Sequence, residues 1–174
     1  MTHLYEQLLG ASFARLPLTM RRFHASAHAS ANGTFAVQRT RGWFSALAAT
    51  MFRLPPPGEN VAVSLDVTAL PEGERWRRRF GAARFDTVQH FEGGRLLERA
   101  GLATIAFDVR AEGTGMSFAS VSCSFAGLRI PRWLAPSIEA TTSATPEGWS
   151  MEVRVSAPHI GLVERYGGYV VPVS

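Results

Sequence analysis

The chain has 174 residues, 46% hydrophobic and 10% aromatic, with sixteen glycines and ten prolines. That content supports a packed core and a single domain over 1–174, with many turns. The formal charge is +4, and all 18 basic residues are arginine; arginine suits phosphate or carboxylate partners, and arginine-only usage is also what GC-rich coding DNA produces. Cys123 is the only cysteine, which excludes an internal disulfide and fits a reducing, cytoplasmic compartment. Met1 to Gly10 carries Glu6 and lacks a basic region followed by an apolar run, so no signal peptide is expected. No run of about 18 apolar residues predicts a membrane span.

Leu4, Leu8, Leu9, Phe13 and Leu16 fall at helical spacing and predict a helix over His3–Arg15, ended by Pro17. Leu18–His24 reads as a second short helix, completing an N-terminal helical segment over 1–24. Ala25–Asn32 is small and polar, Asn32-Gly33 reads as a turn, and Thr34–Thr40 as a first strand anchored by Phe35 and Val37. Arg41–Leu54 predicts a helix with an apolar stripe of Trp43, Phe44, Leu47, Met51 and Phe52, stopped by Pro55-Pro56-Pro57-Gly58. Its simplest use is to cover one face of a sheet. An amphipathic membrane-surface helix is a second use, although its polar face is poor in basic residues, and a partner-binding face is a third.

From 59 to 171 the pattern is that of antiparallel strands. Val61, Val63, Leu65 and Val67 alternate with Ala62, Ser64, Asp66 and Thr68. Pro71-Glu72-Gly73 turns the chain. In the returning strand Trp76, Arg78 and Phe80 share one side, and Arg75, Arg77 and Arg79 the other. Arg84–Glu92 follows as another strand or as a continuation past a bulge at Gly81–Ala83. Gly93-Gly94, Glu112–Gly115 and Pro146–Gly148 are further turns between Arg95–Arg99, Thr104–Arg110, Met116–Phe125, Ile138–Thr145, Trp149–Ser156 and Val163–Val171. Ile130–Pro136 reads as an ordered loop. Parallel strands need crossovers of a dozen or more residues, and none is present here. The expected fold is α+β: a strongly twisted or curled antiparallel sheet with two or three helices of the N-terminal half packed on one face.

Several of these stretches carry a resemblance. They are Leu4-Tyr5, Leu8-Leu9-Gly10, Phe13, Leu16-Pro17, Arg41-Gly42, Leu54-Pro55-Pro56, Glu74–Phe80, Gly94-Arg95-Leu96 with Glu98-Arg99, Ile130-Pro131 with Leu134-Ala135-Pro136, and Gly161-Leu162-Val163 with Tyr166-Gly167-Gly168. In this order they resemble the bacterial domain-of-unknown-function family numbered 4166. The family implies no transferable activity. It does imply service to redox metabolism rather than an active site, because related domains occur alone or fused behind a dehydrogenase-like nucleotide-binding domain. This chain has no such half: Gly93-Gly94 and Gly113-Thr114-Gly115 lack the dinucleotide-binding glycine spacing.

Catalytic signals are weak, and no catalytic residue is assigned. The five histidines are scattered, and His24 with His28 lacks a third ligand for a closed metal site. Cys123 sits in a small-residue strand, as a buried inert thiol does. Asp66, Glu74, Asp86 and Asp108 form an acid–base group only if the fold brings them together. Arg75, Arg77 and Arg79 lie in a line roughly 6–7 Å apart, as a solvated outer face or as an anion site. Nucleic acid is disfavoured because acids interrupt the basic stretch. Arg78 is different, since Trp76 and Phe80 carry it inward to an acid or an aromatic face.

The reading that follows is a non-catalytic binding module for a small apolar or anionic amphipathic ligand, a lipid or metabolite, with no cofactor. Trp76, Arg78, Phe80, Phe107, Phe118, Trp133 and Trp149 are its candidate wall. A cavity above about 300 Å³ favours this over a solid core. The alternative is an accessory domain docking on a dehydrogenase-like protein through Trp133, Leu134, Ile160 and Leu162. An enzyme whose side chains converge only in three dimensions is the third.

Overall fold

The computed structural model describes residues 3–52 and 54–173. Helix α1 (Leu4–Leu9) runs into a 3-10 helix (Gly10–Arg15), and Pro17 separates it from α2 (Leu18–His24). Strand β1 (His28–Arg39) and helix α3 (Trp43–Phe52) follow. Then come β2 (Gly58–Leu70), β3 (Gly73–Phe80), β4 (Ala83–Glu92), β5 (Arg95–Ala100), β6 (Ala103–Glu112) and β7 (Gly115–Phe125). The chain ends with a two-residue strand β8 (Leu128–Arg129), β9 (Ser137–Ala144), β10 (Trp149–Ala157) and β11 (Gly161–Pro172). Among the described residues no helix is long and apolar enough to cross a membrane.

The sheet closes. Each strand from β1 to β7 pairs antiparallel with the next, β7 pairs with β9, β9 with β10, β10 with β11, and β11 returns to β1. Ten strands make an up-and-down barrel, and β8 hangs on the end of β7. The α+β expectation of an open sheet with helices on one face is therefore wrong, and the protein is mostly β. Closure removes both sheet edges and turns the apolar face of every strand toward a common interior.

The helices are placed accordingly. Phe23 of α2 packs edge-on against Trp149, with ring centroids 4.8 Å apart. Tyr5 of α1 reaches Trp76, Phe118 and Gln89 on three different strands. The N-terminal segment thus plugs one end of the barrel instead of covering a sheet face. Helix α3 connects β1 to β2 at the opposite end, and Trp43 and Leu47 on it are exposed, so it is not the expected covering helix. The packing of Phe44, Met51, Phe52 and Arg53 lies outside the described side chains.

Alternation sets what faces the interior. Val63, Leu65 and Val67 are buried on β2, and so are Trp149, Val153 and Val155 on β10. On β7 the alternation breaks where the register shifts opposite Ala106 and Phe107: Ser122 and Ser120 take the partners, and Val121 is the extra residue. That bulge lets Cys123 join the core although it alternates out of phase with Met116 and Phe118. Gly81 does not form a bulge; it takes a left-handed conformation in a tight turn between β3 and β4.

Asn32-Gly33 is likewise no turn. Both residues lie mid-strand, and Gly33 pairs with Val63 on one side and Val170 on the other. A Cβ at Gly33 would run into the Tyr169 carbonyl oxygen and the Val170 side chain. The glycine is there for close approach of β1 to β11. Gly33→Ala is expected to destabilise by about 1–3 kcal/mol through a forced strand shift, read as a lower urea midpoint at unchanged slope. An unchanged midpoint would mean the two strands separate freely at this point.

Candidate functional site: the barrel interior

The interior encloses a cavity of about 140 Å³ lined from every barrel strand. Its walls are apolar over most of their area. At the plugged end lie Tyr5, His24, Trp76, Met116 and Trp149; toward the α3 end lie Phe35, Phe80, Tyr166 and Leu54. Phe35, Phe80 and Tyr166 form an aromatic group with centroids 5.9–6.4 Å apart. The volume falls short of the 300 Å³ mark. It matches an apolar cavity of about 150 Å³ that accepts a single aromatic ring.

Polar groups interrupt this wall at a few places. Arg78 points inward from β3. Its Nη1 donates to Glu98 Oε1 on β5 and to Thr87 Oγ1 on β4, both at 2.8 Å. Thr87 Oγ1 in turn donates to Glu98 Oε1 at 2.7 Å. The guanidinium carbon lies 4.9 Å from the Trp76 ring centre and 5.4 Å from that of Phe85, a favourable cation–π geometry. Burial opposes charge on Glu98, but the Arg78 charge and its hydrogen bonds win and hold its carboxyl below the usual range. The pair is thus ionised and internally neutral.

Closer to the plug Tyr5 and His24 are uncharged. Tyr5 donates its hydroxyl to Gln89 Oε1 at 3.1 Å, and burial raises its pKa well above the ordinary value. The His24 ring lies tilted by 38° against Tyr5 with centroids 4.0 Å apart, and burial lowers its pKa to about 3, so the ring is neutral. His24 lines the cavity, and its Nδ1 is buried with no hydrogen-bond partner among the described residues. Glu74 is buried just behind, accepts from Trp76 Nε1 at 3.0 Å, and is raised by burial to about 7.

The sequence-derived candidates divide in two. Trp76, Arg78, Phe80, Phe107, Phe118 and Trp149 all line the cavity. Trp133 is exposed on the β8–β9 loop outside it. Arg75, Arg77 and Arg79 point outward; Arg77 sits in register between Asp66 and Asp86, and Arg79 lies opposite Arg84. The four candidate acids do not converge: Glu74 faces inward, while Asp66 meets Arg77 at 3.7 Å and Asp108 meets Arg95 at 3.0 Å. Cys123 is buried with its thiol pushed up to about 11 by burial.

Sequence reasoning did not single out Tyr5, His24, Gln89 or Glu98 as part of one site. The inward phase of β3 pointed to Arg78, but its partner comes from another hairpin. Glu98 opposes Gln89 across β4–β5 and alternates with Leu96, which is the only local signal available.

A second buried ion pair ties down the other end. Arg39 Nε donates to Glu164 Oε2, and Arg39 Nη2 donates to the Pro55 carbonyl, both at 2.6 Å. This clamps the chain leaving α3 against β1 and β11.

An apolar interior inside a wall whose outer face carries arginines and aspartates is the inverse of a membrane channel barrel. The fold and site define a closed antiparallel β-barrel of the ligand-enclosing kind. The chain belongs to the family Domain of unknown function (DUF4166), whose model matches residues 16–170. No curated protein and no solved structure matches it.

Proposed function

We propose that the barrel is a non-catalytic binding module for a small, mainly apolar ligand bearing one uncharged polar group. The observation that carries this reading is a largely apolar cavity inside the closed barrel with neutral His24 in its wall, whose buried Nδ1 has no hydrogen-bond partner among the described residues. A buried polar atom without a partner is costly, and a turn of the His24 ring toward the cavity would let a ligand hydroxyl or carbonyl remove that cost. Tyr5 and Gln89 offer further hydrogen bonds beside it.

The charge balance argues for a neutral ligand over the anionic amphiphile considered from sequence. Arg78 is already matched by Glu98, so an incoming carboxylate must displace Glu98 and strand it in the interior. The volume restricts the occupant to about one ring, or to the end of a longer chain.

Phenol and benzoate are suitable probes because they share a ring and differ in charge. Phenol is expected to raise the melting temperature in a concentration-dependent way and benzoate to have little effect. His24→Phe should abolish the phenol shift. Native mass spectrometry of freshly purified protein should show a retained small molecule that denaturation releases. Clean apo protein that neither probe stabilises would refute a binding cavity. Preferential stabilisation by benzoate would refute the neutral-ligand reading.

A further inference from the structure

The two ends of the barrel differ in chemistry. At the plugged end the strand turns carry Glu72 and Glu147, with Glu92 and Glu112 at adjoining strand ends. At the α3 end, the connections 40–57, 81–82, 101–102, 126–127, 130–136 and 158–160 contain no aspartate or glutamate in their sequence. They carry Arg41 and Arg132, with Arg129 on β8 beside them, all exposed, and Glu59 at the start of β2 is the exposed acid at an adjoining strand end.

The same end gathers large exposed apolar side chains. Leu128 is 77% exposed, Trp43 68%, Trp133 66% and Leu102 65%. Leu134 and Ile160 extend the set. Barrel order makes them neighbours along an arc, from α3 over the β10–β11 turn to the β8–β9 loop and on to the β5–β6 turn. Exposing this much apolar surface at one rim signals an interaction site.

We propose that this rim docks on the surface of an anionic lipid bilayer. Tryptophans and leucines at the tips of separate connections suit shallow insertion at the headgroup level. The exposed Arg41, Arg129 and Arg132 outnumber Glu59, the exposed acid at the start of β2 on this side, and complement a negative surface. A protein partner would instead have to supply an acidic, apolar face matched to an arc of separate loops. The docking stands independently of what the interior holds, but it would place the α3 end of the cavity against a source of apolar ligands.

The test is co-sedimentation with phosphatidylcholine vesicles, with and without phosphatidylglycerol. Binding is expected only with the anionic lipid, falling as salt rises. Leu128→Asp with Trp133→Asp should weaken it about tenfold or more at unchanged melting temperature, because both residues are exposed. Arg129→Ser and Arg132→Ser should each weaken it roughly fivefold. Leu18→Asp, at the plugged end, should bind as the parent does. No binding to either vesicle would overturn the proposal. So would equal loss with Leu18→Asp, or a protein dimer that the rim substitutions dissolve while vesicle binding is absent. None of these readouts depends on phenol or benzoate binding.

Discussion

Replacing Arg78 by Ala is expected to cost about 3–5 kcal/mol, because it leaves Glu98 charged and unpaired inside the barrel. Both side chains are largely buried, at 14% and 16% exposure, so solvent does little to relieve the remaining charge. For a domain of this length the loss corresponds to a drop on the order of 10 °C in melting temperature. Arg77→Ala, one residue away, removes an exposed 3.7 Å contact with Asp66 and should change stability by no more than about 0.5 kcal/mol. The double replacement Arg78→Met with Glu98→Leu should recover most of the loss, since it removes both charges and keeps volume. Urea unfolding of the four proteins checks this. Equal, small effects of Arg78→Ala and Arg77→Ala would show that the Arg78–Glu98 pair is solvated through the cavity.

The second large effect is on pH dependence. His24 titrates near 3 in the folded protein against 6.5 ordinarily, so the unfolded chain binds the proton more readily. Stability is therefore full above pH 6.5 and is lost as pH falls toward 3, at up to about 1.4 kcal/mol per pH unit. Glu74 runs the opposite way. Its folded pKa is about 7 against 4.5, so the folded state holds its proton longer. Its contribution is full below pH 4.5 and is lost as pH rises through 7, about 3 kcal/mol in all.

Between pH 4.5 and 6.5 the two slopes oppose each other, and the wild-type protein should show a broad stability plateau. Glu74→Gln should tilt it, so that stability rises with pH to 6.5 and then holds. His24→Phe should tilt it the other way, with stability falling from pH 4.5 to 7. Denaturant unfolding across this range reads both. A Glu74→Gln profile parallel to wild type would show that Glu74 ionises freely in the folded state.

Local patterning carried much of the structure. Period-two alternation alone put Trp76, Arg78 and Phe80 on the inner side of β3 and Arg75, Arg77 and Arg79 on the outer side, because successive side chains of a strand must diverge. Turn residues at Gly93-Gly94 and Pro146–Gly148 marked hairpins for the same local reason. The family resemblance, drawn from motifs spread along the chain, agrees with the match over residues 16–170.

What alternation does not contain is the identity of the neighbour. An apolar face packs equally well under a helix or around a closed interior, so an open sheet and a barrel have the same signature strand by strand. Only the pairings of β11 with β1 and of β7 with β6 and β9 decide closure, and some of these join residues more than 130 positions apart. Asn32-Gly33 misled because turn chemistry and close strand approach both favour glycine. The helices misled because an amphipathic segment reports that it covers something apolar, not whether that is a sheet face or the end of a barrel. The partnership of Arg78 with Glu98, and the meeting of Tyr5 and His24 with Gln89, arise only when distant segments share one interior, where desolvation makes each pairing matter.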